Sequence, residues 1–285
     1  MHLRAPPGAG AVSLRGHLLV AISPEALVNR VQVNIPFPFL LKGYLARFLD
    51  QGLNPEIGLD AWSLGTYRPA VFRRVARDFQ RAGRRLTLHG PFQDLAPGAL
   101  DDFILAASRR RLRQAWRWLP VFRPEAVICH LAYEDRHYRW DQENWLNRVA
   151  ATYRELGIRA AAHGVRVMLE NVYEGDPELL REAVRRINLP NVRICLDVGH
   201  LNAFGGGDFQ GWLETLWPVV GHLHLHDNGG TLDDHLALGT GTVPLEFVLA
   251  FLAARGKQPL ITLEPHQEGS LTPSLAFLAK IWPWE

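Results

Sequence analysis

The stretch "HLHLHDNGGTLDDHLALGTG", residues 222–241, places four histidines and three aspartates within twenty residues. Its first part alternates apolar and imidazole side chains, as a strand does. It then opens into a loop rich in glycine and aspartate. A strand that gathers chemistry at its C-terminal end is the mark of a parallel α/β architecture, where loops following the strands build the site. Seven further runs of the same kind precede and follow it. They are "RVQVNIPF" (30–37), "PEIGLD" (55–60), "RLTLHGPF" (85–92), "AVICHLAY" (126–133), "VRVMLENV" (165–172), "VRICLDVGH" (192–200) and "LITLEPH" (260–266), with "GHLHLHD" (221–227) as the seventh in order.

Between these runs lie amphipathic stretches such as "AVFRRVARDFQRAG" and "NRVAATYRELGIRAAAHG", each ending at a glycine suited to a helix stop. Eight alternating units predict a single-domain (β/α)8 TIM barrel over residues 30–285, preceded by a short Pro/Gly-rich N-terminal extension, 1–29, packed outside it. An open doubly wound sheet is the alternative. It usually carries a glycine-rich phosphate loop after its first strand, and "NIPFPFLLKG" has none.

Composition narrows the function classes. The 285 residues are 47% hydrophobic and 21% charged with a formal net charge of +2, so no strong field favours nucleic acid or anionic lipid. Cys129 and Cys195 sit in apolar runs and read as reduced core thiols, which makes the cytoplasm the default. The apolar "AVSLRGHLLVAIS" is interrupted by Arg15 and His17, with no signal cleavage pattern after it. No segment reads as a membrane span.

The strand ends carry the chemistry. From the third strand to the eighth they hold His89, His130, Glu170, Asp197, His224 and Glu264. Strand parity turns Ile128 and His130, Met168 and Glu170, Cys195 and Asp197, and Thr262 and Glu264 into the barrel. Cys129 falls on the opposite face, and Cys195 one layer beneath Asp197. The loops add His200, Asp233 and His235. Imidazole and carboxylate together suit zinc best, or manganese or iron, and nine donors suit two or three divalent ions. Each histidine taken alone is more often a structural residue. Stability alone would fill these positions with apolar side chains.

These residues resemble the xylose isomerase-like barrels, a family that includes endonuclease IV and many sugar or sugar-phosphate isomerases and epimerases. "MLEN" (168–171), "CLDVGH" (195–200), "HLHD" followed by "DDHLALGTG", and "ITLEPH" carry the likeness, over about two thirds of the chain. The endonuclease IV pattern of nine zinc ligands finds matching types at His89, His130, Glu170, Asp197, His200, His224, Asp233, His235 and Glu264. The loops "DAWSLGTYRP" and "HGPFQDLAPG" do not resemble the DNA-inserting loops of that branch, so duplex DNA is not the expected substrate.

The resemblance implies two chemistries. The first is hydrolysis of a phosphoester or phosphodiester by metal-activated water, on a small phosphorylated or nucleotide-like molecule such as a cobamide nucleotide loop, with Glu170 and Glu264 placing the water. The alternative is isomerisation or epimerisation of a sugar or sugar phosphate. There one ion sits on Glu170, Asp197, His224 and Glu264, and the two glutamates form an acid/base pair. A barrel that binds metal without catalysis is a third reading. Candidate substrate contacts are Trp62, Phe92, Tyr133 and Tyr173 for stacking, Arg68 and Arg136 for phosphate, and His226 on the strand face of His224.

Overall fold

The computed structural model describes residues 22–285. Eight parallel strands close into a barrel in sequence order. They are β1 (Gln32–Pro36), β2 (Asn54–Gly58), β3 (Thr87–His89), β4 (Ala126–His130), β5 (Arg166–Glu170), β6 (Val192–Asp197), β7 (Val220–Leu225) and β8 (Leu260–Leu263). Each falls within its expected run or one residue outside it. Closure between β1 and β8, with Gln32 opposite Thr262, excludes the open sheet.

Alternation along the strands splits the core in two. One apolar layer lies between barrel and helices and includes Cys129, Val167, Leu169, Leu223 and Ile261. A smaller cluster fills the lumen: Ala126, Ile128, Met168 and Cys195, with Leu260 against it. Both cysteines are free and buried on the faces that parity assigned them. The helices Pro69–Arg81 and Gln142–Ala161 cover the outside, and the chain leaves them through Gly83 (φ 68°) and Gly164 (φ 69°). That left-handed conformation is one glycine adopts without a Cβ penalty.

Two boundaries differ from expectation. Most of the predicted extension, residues 1–21, lies outside the described residues. Its last part does not sit apart from the barrel. Ser23 caps a short helix, Pro24–Val28, that packs on Leu271–Lys280 and sinks Leu27 fully into the core. The sixth strand stops three residues early, because the Asp197 carboxylate caps a helix, Val198–Ala203, in place of further strand. Among the described residues no helix is long and apolar enough to cross a membrane.

Candidate metal centre

The end of β6 is built by side chains reaching for backbone. Asn171, just past β5, donates from Nδ2 to the Asp197 carbonyl at 3.0 Å and accepts from the Asp197 amide at 2.9 Å. Asp197 Oδ1 accepts from the His200 amide at 2.7 Å, which puts the His200 ring on the first turn of the helix and over the lumen. Gly199 between them is required, since any Cβ there would run into the His226 ring.

Three histidines share one way of being held. Nδ1 of His89 lies 2.9 Å from the Gly90 carbonyl, that of His200 lies 3.0 Å from the Asn171 carbonyl, and that of His235 lies 3.2 Å from the Glu264 carbonyl. A carbonyl can only accept, so Nδ1 carries a hydrogen and Nε2 is the nitrogen left free to meet an ion or, without one, a proton. The Nε2 atoms face carboxylates: that of His89 is 3.0 Å from Glu170 Oε2, while those of His235 and His200 lie 3.1 and 3.4 Å from Asp233 Oδ2. His130 Nε2 joins the first of these at 3.3 Å from Glu170 Oε2.

The donors fall into adjoining groups with metal-ligand spacing: His89, His130 and Glu170; Glu170, Asp197 and His224; Asp197, His226 and Glu264; and His200, His226, Asp233 and His235. Glu264 also reaches the second of these, its Oε1 lying 3.2 Å from His224 Nδ1 with Glu170 Oε1 at the same distance from that atom. A cation would answer a standing need here. Asp197 Oδ2 is buried and has no hydrogen-bond partner, a costly state for a carboxylate oxygen unless a positive group neutralises it.

Electrostatics within the cluster are strongly coupled. Burial pushes Glu170 up, but His224 and His130 outweigh it and hold its carboxyl well below the usual range. Burial also pushes Asp197 up, and His200 and His226 overcome it. For Glu264 burial prevails, helped by Asp197 and Glu170, and its carboxyl is raised. At His200 and His224 the cost of burial is overridden by the carboxylates around them, and both hold protons well above the ordinary imidazole range.

The centre opens into a cavity of about 900 Å³ at the C-terminal mouth of the barrel. Seven of the nine expected donors line it, while Asp197 and His224 lie fully buried beneath. Phe92, Tyr133 and Tyr173 also line it. Trp62, Arg68 and Arg136 do not. Each falls on or beside a helix that turns it outward: Trp62 packs edge-on against Tyr67, Arg68 is the exposed cap of Pro69–Arg81, and Arg136 is exposed on Asp135–Tyr138. His226 is not a wall residue either. It is buried, its Nε2 lies 3.1 Å from Asp197 Oδ1, and its ring stacks on His235. Among the described residues neither lysine nor arginine lines the cavity.

Two residues escaped the reading of the sequence. His266 lines the cavity and stacks on His235 at 3.4 Å, with its proton affinity pushed down to about 4 by burial and by His235. Glu56, fully buried in β2, faces His224. The parity rule applied to the other strands would have found it, since Glu56 stands opposite Asn34 on β1 and Thr87 on β3.

A closed eight-stranded barrel with a layer of imidazoles and carboxylates at the strand ends is the class of α/β protein that the fold and the site define. Within that class, residues 55–281 match the model of the xylose isomerase-like TIM barrel, and the chain belongs to this family. It is 28% identical over 221 residues to an uncharacterized protein of Methanocaldococcus jannaschii, covering 73% of this chain and 75% of that one. A D-tagatose 3-epimerase-like protein superposes with a TM-score of 0.74 at 21% identity, over 88% of this chain and 96% of the other. A Thermus thermophilus protein soaked with ZnCl2 gives 0.74 at 25% identity, over 88% and 97%.

Proposed function

We propose that the protein is a divalent-metal-dependent isomerase or epimerase acting on an uncharged polyhydroxy carbonyl compound, a sugar or close relative. The observation that carries this reading is the pairing of Glu170 and Glu264, whose carboxylates flank one histidine nitrogen at 3.2 Å each and open on a cavity without lysine or arginine. Similar solved structures described as a D-tagatose 3-epimerase-like protein and a D-psicose 3-epimerase support it. Phosphoester hydrolysis, put first from the sequence, recedes behind its alternative. The arginines expected to bind phosphate stay outside the cavity.

Glu170, Asp197, His224 and Glu264 would hold the ion, with zinc the first choice given the zinc-soaked relative. When bound, it supplies polarisation of a carbonyl and the neighbouring hydroxyl. One glutamate takes the proton from the carbon next to the carbonyl, leaving its electron pair in an enediolate. The other returns a proton to the opposite face or to the adjacent carbon. His200 and the ring of Phe92 would border the substrate.

A cluster hydrolase is the second reading, because the two oxygens of Glu170 face different donor groups, as a bridging carboxylate would. One experiment separates them. Unphosphorylated ketoses incubated in deuterium oxide with zinc- or manganese-loaded protein should gain a solvent deuteron beside the carbonyl. Glu264→Gln should slow that exchange by about 10²- to 10⁴-fold with the fold intact. No exchange, together with cleavage of bis(p-nitrophenyl) phosphate, would replace the first reading by the second.

A further inference from the structure

His224 stands apart from the other donors. Where His89, His200 and His235 give their Nδ1 hydrogen to a backbone carbonyl, His224 is turned round, with Nδ1 toward Glu170 and Glu264. No carbonyl holds its far side. Its Nε2 lies instead 3.1 Å from Oε1 of Glu56. We propose that Glu56 is the positioning residue of the centre, taking the Nε2 hydrogen of His224 and so presenting Nδ1 to the space between Glu170, Asp197 and Glu264.

The surroundings of Glu56 suit that task and little else. Oε2 accepts from the hydroxyls of Thr87 at 3.1 Å and Thr262 at 2.7 Å, and Oε1 accepts from Asn34 Nδ2 at 3.3 Å. Side chains from β1, β3 and β8 thus pin the carboxylate in one orientation. His222 closes the network by donating from Nε2 to the Thr262 hydroxyl at 2.8 Å. With these oxygens already accepting from Thr87, Thr262 and Asn34, Glu56 has little left for an ion of its own, although the spacing of Glu56, His222 and His224 would otherwise allow one.

A fully buried carboxylate is expensive, and barrel lumens are ordinarily filled with branched apolar side chains at this depth. Ala126, Ile128, Met168 and Cys195 show that apolar filling elsewhere in the lumen. Carboxylates that take the far hydrogen of a metal-binding imidazole fix its tautomer and ring angle and strengthen it as a donor. The Nε2 hydrogen is not yet aimed squarely at Oε1, and Nε2 has no other partner. A small ring rotation on ion capture would complete the bond.

The inference rests on reading His224 as a metal donor, and the experiment keeps the two apart. Metal-stripped protein is titrated with Zn(II) by calorimetry, and the visible spectrum of the Co(II)-loaded form is recorded, for wild type and for Glu56→Leu, Glu56→Asp and Glu56→Gln. Wild type should bind. Leu, which abolishes the contact, and Asp, which withdraws the carboxylate while still serving the threonines, should weaken the centre by about 10- to 100-fold and shift the Co(II) bands. Gln, with an acceptor oxygen at the same reach, should recover most of the affinity. If Leu does not fold, the Asp and Gln pair decides. Asp binding with wild-type affinity and spectrum overturns the role of Glu56. A wild type that takes up no metal overturns the functional reading itself.

Discussion

The two donor groups flanking the centre are built on different plans. The group of His89 and His130 has no carboxylate of its own and borrows Oε2 of Glu170. The group of His200, His226 and His235 has Asp233, supplied by the loop after β7, with its side chain 31% exposed. A cation needs compensating charge as well as lone pairs. The first group is therefore an annex of the centre, while the second has a carboxylate of its own and meets the centre through His226, whose Nε2 lies 3.1 Å from Asp197 Oδ1.

Breaking the shared residue should do the most damage. Glu170→Gln should empty the centre and the annex together and lower turnover by about 10²- to 10⁴-fold, while the outer group keeps its ion. Elemental analysis of the purified variant, beside its rate, checks this. A variant that loses metal from the outer group as well would contradict the division drawn here.

Asp233→Asn is the sharper cut. It should remove the outer group's ion alone and reduce turnover far less than the Glu170 substitution, measured in the same deuterium-exchange assay. A loss as deep as that of Glu170→Gln would show that the outer ion takes part in the chemistry, and would favour the hydrolytic reading.

The smallest effect concerns protons. In metal-free protein burial works against a charged His200, yet Asp197, Asp233 and Glu170 raise it well above its ordinary value, whereas burial dominates at His130 and lowers it. A raised histidine contributes stability that is present below its unfolded pKa of about 6.5 and lost as pH climbs through the folded value. A lowered one acts in the opposite sense. The melting temperature of stripped protein should thus fall as pH rises above about 6.5, and His200→Gln should flatten that fall. His130→Gln should not. An unchanged slope in His200→Gln would show that the proton is held elsewhere.

The same contrast explains what could be read from the sequence. Strand ends are local: "AVICH", "RVMLE" and "VRICLD" announce both their period and the polar side chain that closes them, so the eight strands and the residues at their ends were legible. Glu56 was missed although strand parity turns it inward, because "PEIG" shows one polar residue in a short strand, and its partners stand as far away as Thr262. Trp62, Arg68 and Arg136 misled for the opposite reason. Proximity to a strand end placed them in loops, and only helices begun within a residue or two of them decide which way such side chains turn.

A mouth walled by imidazoles and carboxylates, with no fixed cation among the described residues, also sets the terms of ion uptake. Before any ion arrives, the buried carboxylates are balanced only by imidazolium protons, held on His200 and His224 well above the ordinary range. An ion entering the centre would take the place of those protons, so its uptake is an exchange that weakens as the pH falls.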